Sequence, residues 1–283
     1  MSKNSINIIS SKRGLFSIDF KEIWQYRDLL TLFVKRDFIS VYKQTVLGPA
    51  WFVIQPILTT FIYTAIFGGI AGIGTDGIPK FLFYLAGITC WGYFSECFLK
   101  TSNVFVTNTE LFGKVYFPRM IAPFSIVVSN LLKFIVQFIL FVVAYVYYYL
   151  TGTNVEFNWV LIFVPVFVLI TALMGVGLGM VISSLTTKYK DLRFLIAFGV
   201  QLIMYTTPII YPFSLIRDKL GEYYWLAYLN PVTPIIEGFK YAFFGRGTLD
   251  LVGLVFSAIF AIFVMIVGTI IFNKVEKSFM DTV

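Results

Sequence analysis

The strongest constraint on this chain is a series of apolar runs, each about as long as a bilayer is thick. Residues 49–71 carry no charged side chain, and further runs follow at 81–102, 121–150, 159–185, 194–211 and 251–272. A helix needs about 20 apolar residues to cross the hydrocarbon core. The runs therefore predict an all-α integral membrane protein with six transmembrane helices. Composition agrees: of 283 residues, 58% are hydrophobic and only 13% are charged, against about 25% charged in a soluble domain. The first residues lack the apolar stretch of a cleavable signal, so the N-terminus is expected to be retained.

Orientation follows from Lys and Arg, which favour cytoplasmic loops. Lys3, Lys12, Arg13, Lys21, Arg27, Lys35, Arg36 and Lys43 precede the first run. Lys100, Lys114 and Arg119 fall in the second loop, Lys188, Lys190 and Arg193 in the fourth, and Lys274 and Lys277 in the tail. The intervening loops hold Lys80, none, and then Arg217, Lys219, Lys240 and Arg246. The count is 16 against five, with Lys133 inside a run, and it predicts both termini in the cytoplasm. The same rule explains the net charge of +7 without a nucleic-acid partner. The Tyr-rich "YVYYYL" (145–150) then falls at the outer interface, where Tyr is favoured.

Three segments are neither span nor simple loop. Residues 18–45 read as an amphipathic helix, with Asp19 and Glu22 spaced as in a capping box. Ile23, Leu30, Phe33, Phe38 and Tyr42 take one side, and Lys21, Arg27, Lys35 and Arg36 the rest. Such a helix before the first span should lie in the membrane plane, a generic helical tail being the plainer alternative. Residues 1–45 thus read as a cytoplasmic tail with an interfacial helix, and 46–283 as the transmembrane domain. Residues 212–250 are too apolar for a free loop and too broken for a span. Short re-entrant or interfacial helices fit, because irregular backbone at membrane depth must be buried in protein or line a wet cavity. "NTELFGKVYFPRM" (108–120) is a compact charged stretch, much of it in the cytoplasmic segment at about 103–118.

Motifs for chemistry are few. No G-x-x-x-x-G-K-[ST] is present, so ATP binding through a P-loop is not expected. "GVGLG" (175–179) misses the dinucleotide pattern at Met180 and lies inside a run, where close helix packing explains its glycines. The chain has no His for a Ser-His-Asp arrangement, and its two cysteines, Cys90 and Cys97, read as buried hydrophobes, so neither an enzyme nor a metal site is expected. Glu96 and Lys133 are ionisable groups inside runs and so are functional candidates. Each also has a plainer reading, a snorkelling side chain or a span that starts later. Pairing between them is open, although their expected depths differ.

One stretch, "YKQTVLGPAWFVIQPILTTFIYTAIFG" (42–68), resembles the start of the membrane subunit of type-2 ABC exporters of polysaccharides. The pattern is carried by Leu47, Gly48, Trp51, Pro56, Tyr63, Phe67 and Gly68. "FPR" (117–119), "KDLR" (190–193), "TPIIYP" (207–212) and "LNPVTPIIEGFKYAFFG" (229–245) follow in the family's order, with Lys190 and Lys240 where Arg is common.

This resemblance implies a homodimer of six-span subunits joined to two copies of a separate ABC ATPase, which would hold the ATP and Mg. This chain itself would hold no cofactor. The resemblance also implies two short re-entrant helices before the last span, and a bacterial cytoplasmic membrane location. The cargo would be a glycan on a polyprenyl diphosphate lipid, moving between the first and fifth spans. O-antigen stands first, capsular polysaccharide and teichoic acid are alternatives, and a drug or lipid is a more distant one. Pathway candidates are Trp51, Gln55, Tyr63, Phe67, Tyr205 and Tyr211. Coupling candidates are Glu110, Lys114, Phe117 and Arg119. Lys35, Arg36 and Lys43 are candidates to attract the diphosphate or anionic lipid headgroups. A secondary transporter would lean on Glu96 and Lys133. A membrane glycosyltransferase would need clustered acidic or metal-binding residues in a loop, which the sequence does not show.

Overall fold

The structure, a computed structural model, describes residues 24–43, 45–114, 117–152, 158–189 and 191–282. Every regular element among them is helical. Helices satisfy their own backbone polar groups, which is what a chain this apolar needs in lipid. Asp19, Lys21, Glu22, Ile23, Val115, Tyr116 and Lys190, all used in the sequence reading, lie outside the described residues.

Helix α1 (Arg27–Tyr42) is followed by a 3-10 turn (Gly48–Ala50) and α2 (Trp51–Tyr63), which continues as a π-helical stretch, Thr64–Ile70. Then come α3 (Lys80–Ser102), the short α4 (Val104–Thr107) and α5 (Thr109–Lys114), and α6 (Ile121–Leu150). A 3-10 turn (Trp159–Phe163) leads into α7 (Val164–Lys188), then α8 (Leu192–Thr206) and α9 (Phe213–Leu220). A 3-10 segment (Gly221–Leu229), α10 (Thr233–Phe244) and α11 (Leu251–Thr282) complete the order.

Five of the expected spans are helices long and apolar enough to cross a membrane: Gly48–Ile70, Lys80–Ser102, Ile121–Leu150, Trp159–Lys188 and Leu251–Val275. The run at 194–211 departs from expectation. Its helix, α8, has 15 residues, about 22 Å against a hydrocarbon core of about 30 Å. It stops because Pro208 disfavours helical backbone at the residue before it. Thr207 is extended, at φ −91° and ψ 143°. The chain beyond, Thr207 to Ile210, is buried although irregular.

The core is built around α7, packed between α3 and α11. The alternating glycines of "GVGLG" divide between these neighbours. A Cβ on Gly175 would stand 2.9 Å from Cβ of Cys97, and one on Gly179 would stand 2.5 Å from Cβ of Thr101, both on α3. A Cβ on Gly177 would stand 2.7 Å from the Met265 nitrogen of α11. A Cβ on Gly268 would stand 2.5 Å from the Gly177 oxygen. Backbones this close gain dispersion contacts that lipid cannot replace.

The expected re-entrant region holds two short α-helices of unlike character. α9 is largely exposed beyond Phe213, whereas α10 is buried along almost its whole length. α10 spans 12 residues and ends at Gly245 in the left-handed conformation, φ 61°. Its face of Phe239, Phe243 and Phe244 meets Phe141 of α6, with ring centroids 4.9–6.1 Å apart. Inside this core sits an ion pair: Lys240 Nζ stands 3.5 Å from Glu237 Oε1, and both side chains are almost fully enclosed. Lys240 also donates to the Pro208 carbonyl, where α8 has ended. Its ammonium lies 3.6 Å from the centre of the Phe83 ring.

Candidate functional site

A polar cavity of about 190 Å3 opens among α2, α3 and α6, with Met204 of α8 at its edge. Its lining includes Gln55, Thr59 and Tyr63 from α2, Trp91, Tyr93, Ser95 and Glu96 from α3, and Asn130, Lys133 and Gln137 from α6. Glu96 organises one wall. Lys133 Nζ stands 2.5 Å from Glu96 Oε1 and Lys100 Nζ stands 3.0 Å from Oε2. Lys100 also donates to Asn130 Oδ1 at 2.9 Å. One carboxylate thus compensates two ammonium groups at a depth where an unpaired charge is costly. Lys133 lies 5.8 Å from the centre of the Phe52 ring, and Phe52 packs on Phe38 of α1 at 5.3 Å.

The expected pathway residues separate into two groups. Gln55 and Tyr63 line the cavity. Phe67 packs edge-on against Tyr63, at 5.3 Å between centroids. Trp51 is exposed at the start of α2 and Tyr205 is exposed near the end of α8. The Tyr211 hydroxyl donates to the Tyr205 carbonyl at 2.9 Å, so these two tyrosines share one corner. α2 and α8 touch where the Tyr63 hydroxyl approaches Met204 Sδ at 3.9 Å. Both helices otherwise present exposed apolar faces, Leu58, Phe61 and Ile62 on α2 and Phe194, Phe198 and Leu202 on α8.

The expected coupling residues also divide. Glu110 and Lys114 of α5 are among the most exposed side chains, in an i,i+4 pair at 3.8 Å. Phe117 and Arg119 are instead buried, so of the four only Glu110 and Lys114 are presented at the surface. Phe117 packs edge-on against Phe33 of α1 and lies 5.6 Å from Phe112. The Arg119 guanidinium lies 5.3 Å from the Phe112 ring centre. Phe112 continues to Phe105, which stacks on Phe272 of α11 at 4.5 Å. This aromatic chain fixes α5 to the bundle from behind.

Of the basic residues on the first helix, Lys35 and Lys43 are exposed. Arg36 is engaged with Asp37 at 2.8 Å and donates to Asn108 Oδ1 at 3.1 Å. Arg36 also lines a second cavity of about 850 Å3, shared with Lys100 and Arg193. Sequence reasoning missed Trp91, Asn130 and Gln137, because a lone amide or aromatic in an apolar run carries no pattern. At the other end of the bundle, burial pushes the Tyr228 hydroxyl up to about 12 and the Asp250 carboxylate acts in the same direction. That hydroxyl therefore stays a neutral donor.

A helical bundle of apolar spans with a charged, amide-lined cavity inside it and no nucleotide-binding motif defines a membrane-embedded transport subunit. Residues 28–244 match the family model for the ABC-2 type transporter, and the chain belongs to that family. It is the membrane permease domain rather than the ATPase, and membership implies an ABC ATPase partner. The chain is similar to the O-antigen export system permease protein RfbA of Myxococcus xanthus, 26% identical over 264 residues, covering 93% of this chain and 98% of the relative. It is also similar to the protein of that name from Klebsiella pneumoniae, 28% identical over 255 residues, covering 90% and 94%.

Proposed function

We propose that this chain is the permease of an ATP-driven exporter of a lipid-linked polysaccharide, with O-antigen the first candidate cargo. Capsular polysaccharide and teichoic acid are the alternatives of the same chemistry. The observation that carries the reading is the polar cavity beside two helices, α2 and α8, that present apolar faces outward and touch at Tyr63 and Met204. A second copy set against those faces would enclose a pathway bordered by Trp51, Tyr205 and Tyr211. The end-to-end likeness to O-antigen permeases supports a glycan as cargo.

The working unit in this reading is a homodimer with two ATPase subunits in the bacterial cytoplasmic membrane. α8 with the buried stretch after it makes the sixth crossing, which leaves both termini in the cytoplasm, as the charge count requires. α10 is then a re-entrant helix, its backbone sheltered by protein. α5 meets the ATPase through Glu110 and Lys114. Lys35 and Lys43 offer ammonium groups to phosphate oxyanions, of lipid headgroups or of the cargo's diphosphate. ATP and Mg belong to the partner.

Deletion of the gene, followed by extraction of lipid-linked glycan from the cytoplasmic face, tests the reading. The expected result is accumulation of polymer on polyprenyl diphosphate inside the cell, with its chemical analysis identifying which polymer it is. Normal surface polymer with no internal accumulation overturns it.

A further inference from the structure

We propose that the cavity among α2, α3 and α6 holds one pyranose ring of the cargo as it passes, making it a sugar-selective side pocket of the pathway. The inference rests on the export reading and adds to it a recognition site.

Two side-chain amides carry the argument. Gln55, exposed, and Gln137, half-buried, line the cavity from different helices, and neither amide makes a side-chain hydrogen bond among the described residues, so both are open to whatever fills the cavity. A polar group at membrane depth normally finds a partner in protein or in a wet space. These two offer their donors and acceptors to an occupant of the cavity. The wall opposite offers more of the same: a carboxylate has about four lone-pair sites, and the two ammonium groups on Glu96 leave some of them open. Ser95 and Thr59 add hydroxyls. Trp91, Tyr63 and Tyr93 add aromatic surface. Aromatic faces beside a few placed amides and a carboxylate suit a ring with an apolar C–H face and a rim of hydroxyls.

Other occupants fit less well. A free anion would compete with Glu96 for ammonium groups already engaged. An apolar molecule would leave both amides without partners. Drug-sized sites run to about 300–1,000 Å3, so a cavity of about 190 Å3 takes a single ring. A site that hydrogen-bonds hydroxyls rejects analogues lacking them far more strongly than an apolar pocket discriminates by size. The cavity would thus sort sugars by the positions of their hydroxyls, beside a pathway whose aromatic surfaces are indifferent to them.

The test uses the complete exporter, permease with its ATPase partner, in lipid nanodiscs. The probe is the tritiated oligosaccharide released by mild acid from the host's own lipid-linked glycan, with sorbitol as an open-chain competitor. Saturable binding is expected, with sorbitol a poor competitor. Gln55→Leu and Gln137→Leu should each weaken binding about fivefold, the loss of one hydrogen bond. Gln137→Asn, which withdraws the amide from the cavity, serves if the leucine variant fails to assemble. Binding that is absent, or equal in wild type and the Gln137 variant, overturns the inference and leaves a cavity that holds only water. Failure of the export reading is separately visible: without internal glycan accumulation in the deletion strain, both fall. Accumulation with no cavity-dependent binding removes this inference alone.

Discussion

Arg36 on α1 donates from Nη1 to the side-chain oxygen of Asn108 at 3.1 Å, across 72 positions of sequence. The bond joins the helix before the first span to the segment that carries α5. Together with the Phe33–Phe117 contact, it ties α1 to both ends of the segment that carries α5. Replacing either partner with Ala should lower the stability of the purified protein by about 1 kcal/mol, and the double variant should lose little more than either single one. Thermal unfolding of the four proteins in one detergent measures the coupling. Additive losses would show that the two segments are independent.

The Glu110–Lys114 pair is too exposed to stabilise the fold by more than about 0.5 kcal/mol. Glu110→Lys and Lys114→Glu should therefore fold normally and yet reduce co-purification of the ATPase about tenfold. Arg119→Glu should instead destabilise the protein, because Arg119 is buried beside Phe112. Co-purification yield set beside the melting temperature separates docking from folding. Full ATPase retention in both α5 variants would exclude α5 as the contact.

Glu96 neutralises two ammonium groups at once. Glu96→Gln leaves the largely buried Lys133 without its carboxylate, while the more exposed Lys100 keeps Asn130, and should cost about 1–3 kcal/mol. Adding Lys133→Met should recover part of that loss, since one stranded charge is then removed. Chemical denaturation in mixed micelles gives the comparison. A Glu96→Gln protein as stable as wild type would mean that water screens the site fully.

Lys240 and Glu237 are enclosed together, with Lys240 also held to the Pro208 carbonyl. Lys240→Met should cost about 3–5 kcal/mol, by leaving a buried carboxylate without its cation. Glu237→Gln with Lys240→Met should be much milder than Lys240→Met alone. Lys240→Arg is the informative intermediate, since it keeps the charge and changes the shape. Expression level and melting temperature check the order.

The long helices were legible because length and absence of charge act locally. The runs at 81–102 and 121–150 became Lys80–Ser102 and Ile121–Leu150 almost residue for residue. The run at 194–211 gave a helix shorter than its length suggested, because hydropathy ignores the step before Pro208 that ends α8. Charge itself was legible, but its partners were not. Lys133 and Glu96 had looked mismatched in depth, and long side chains close that gap to 2.5 Å. Arg119 read as part of a surface because charge normally marks one. It is buried instead, with its guanidinium against the Phe112 ring of α5, and no local pattern encodes that burial. Of the two cavity glutamines, Gln55 was already a candidate through the family resemblance, whereas Gln137 was not, because it gains its meaning only when α2 and α3 stand opposite.

The glycines of α7 set a limit on what can move. With Gly175 and Gly179 against α3 and Gly177 against α11, three helices are interlocked backbone to backbone. They cannot slide or tilt against one another without opening voids that no side chain fills. The bundle therefore has a stator, and any large displacement must fall on the elements outside it. α2 and α8 are among those elements, meeting one another at Tyr63 and Met204. A stroke delivered at α5 would travel along a rigid frame and be spent at its loosest seam. The glycine stripe, by denying motion to the centre, directs it to the margin.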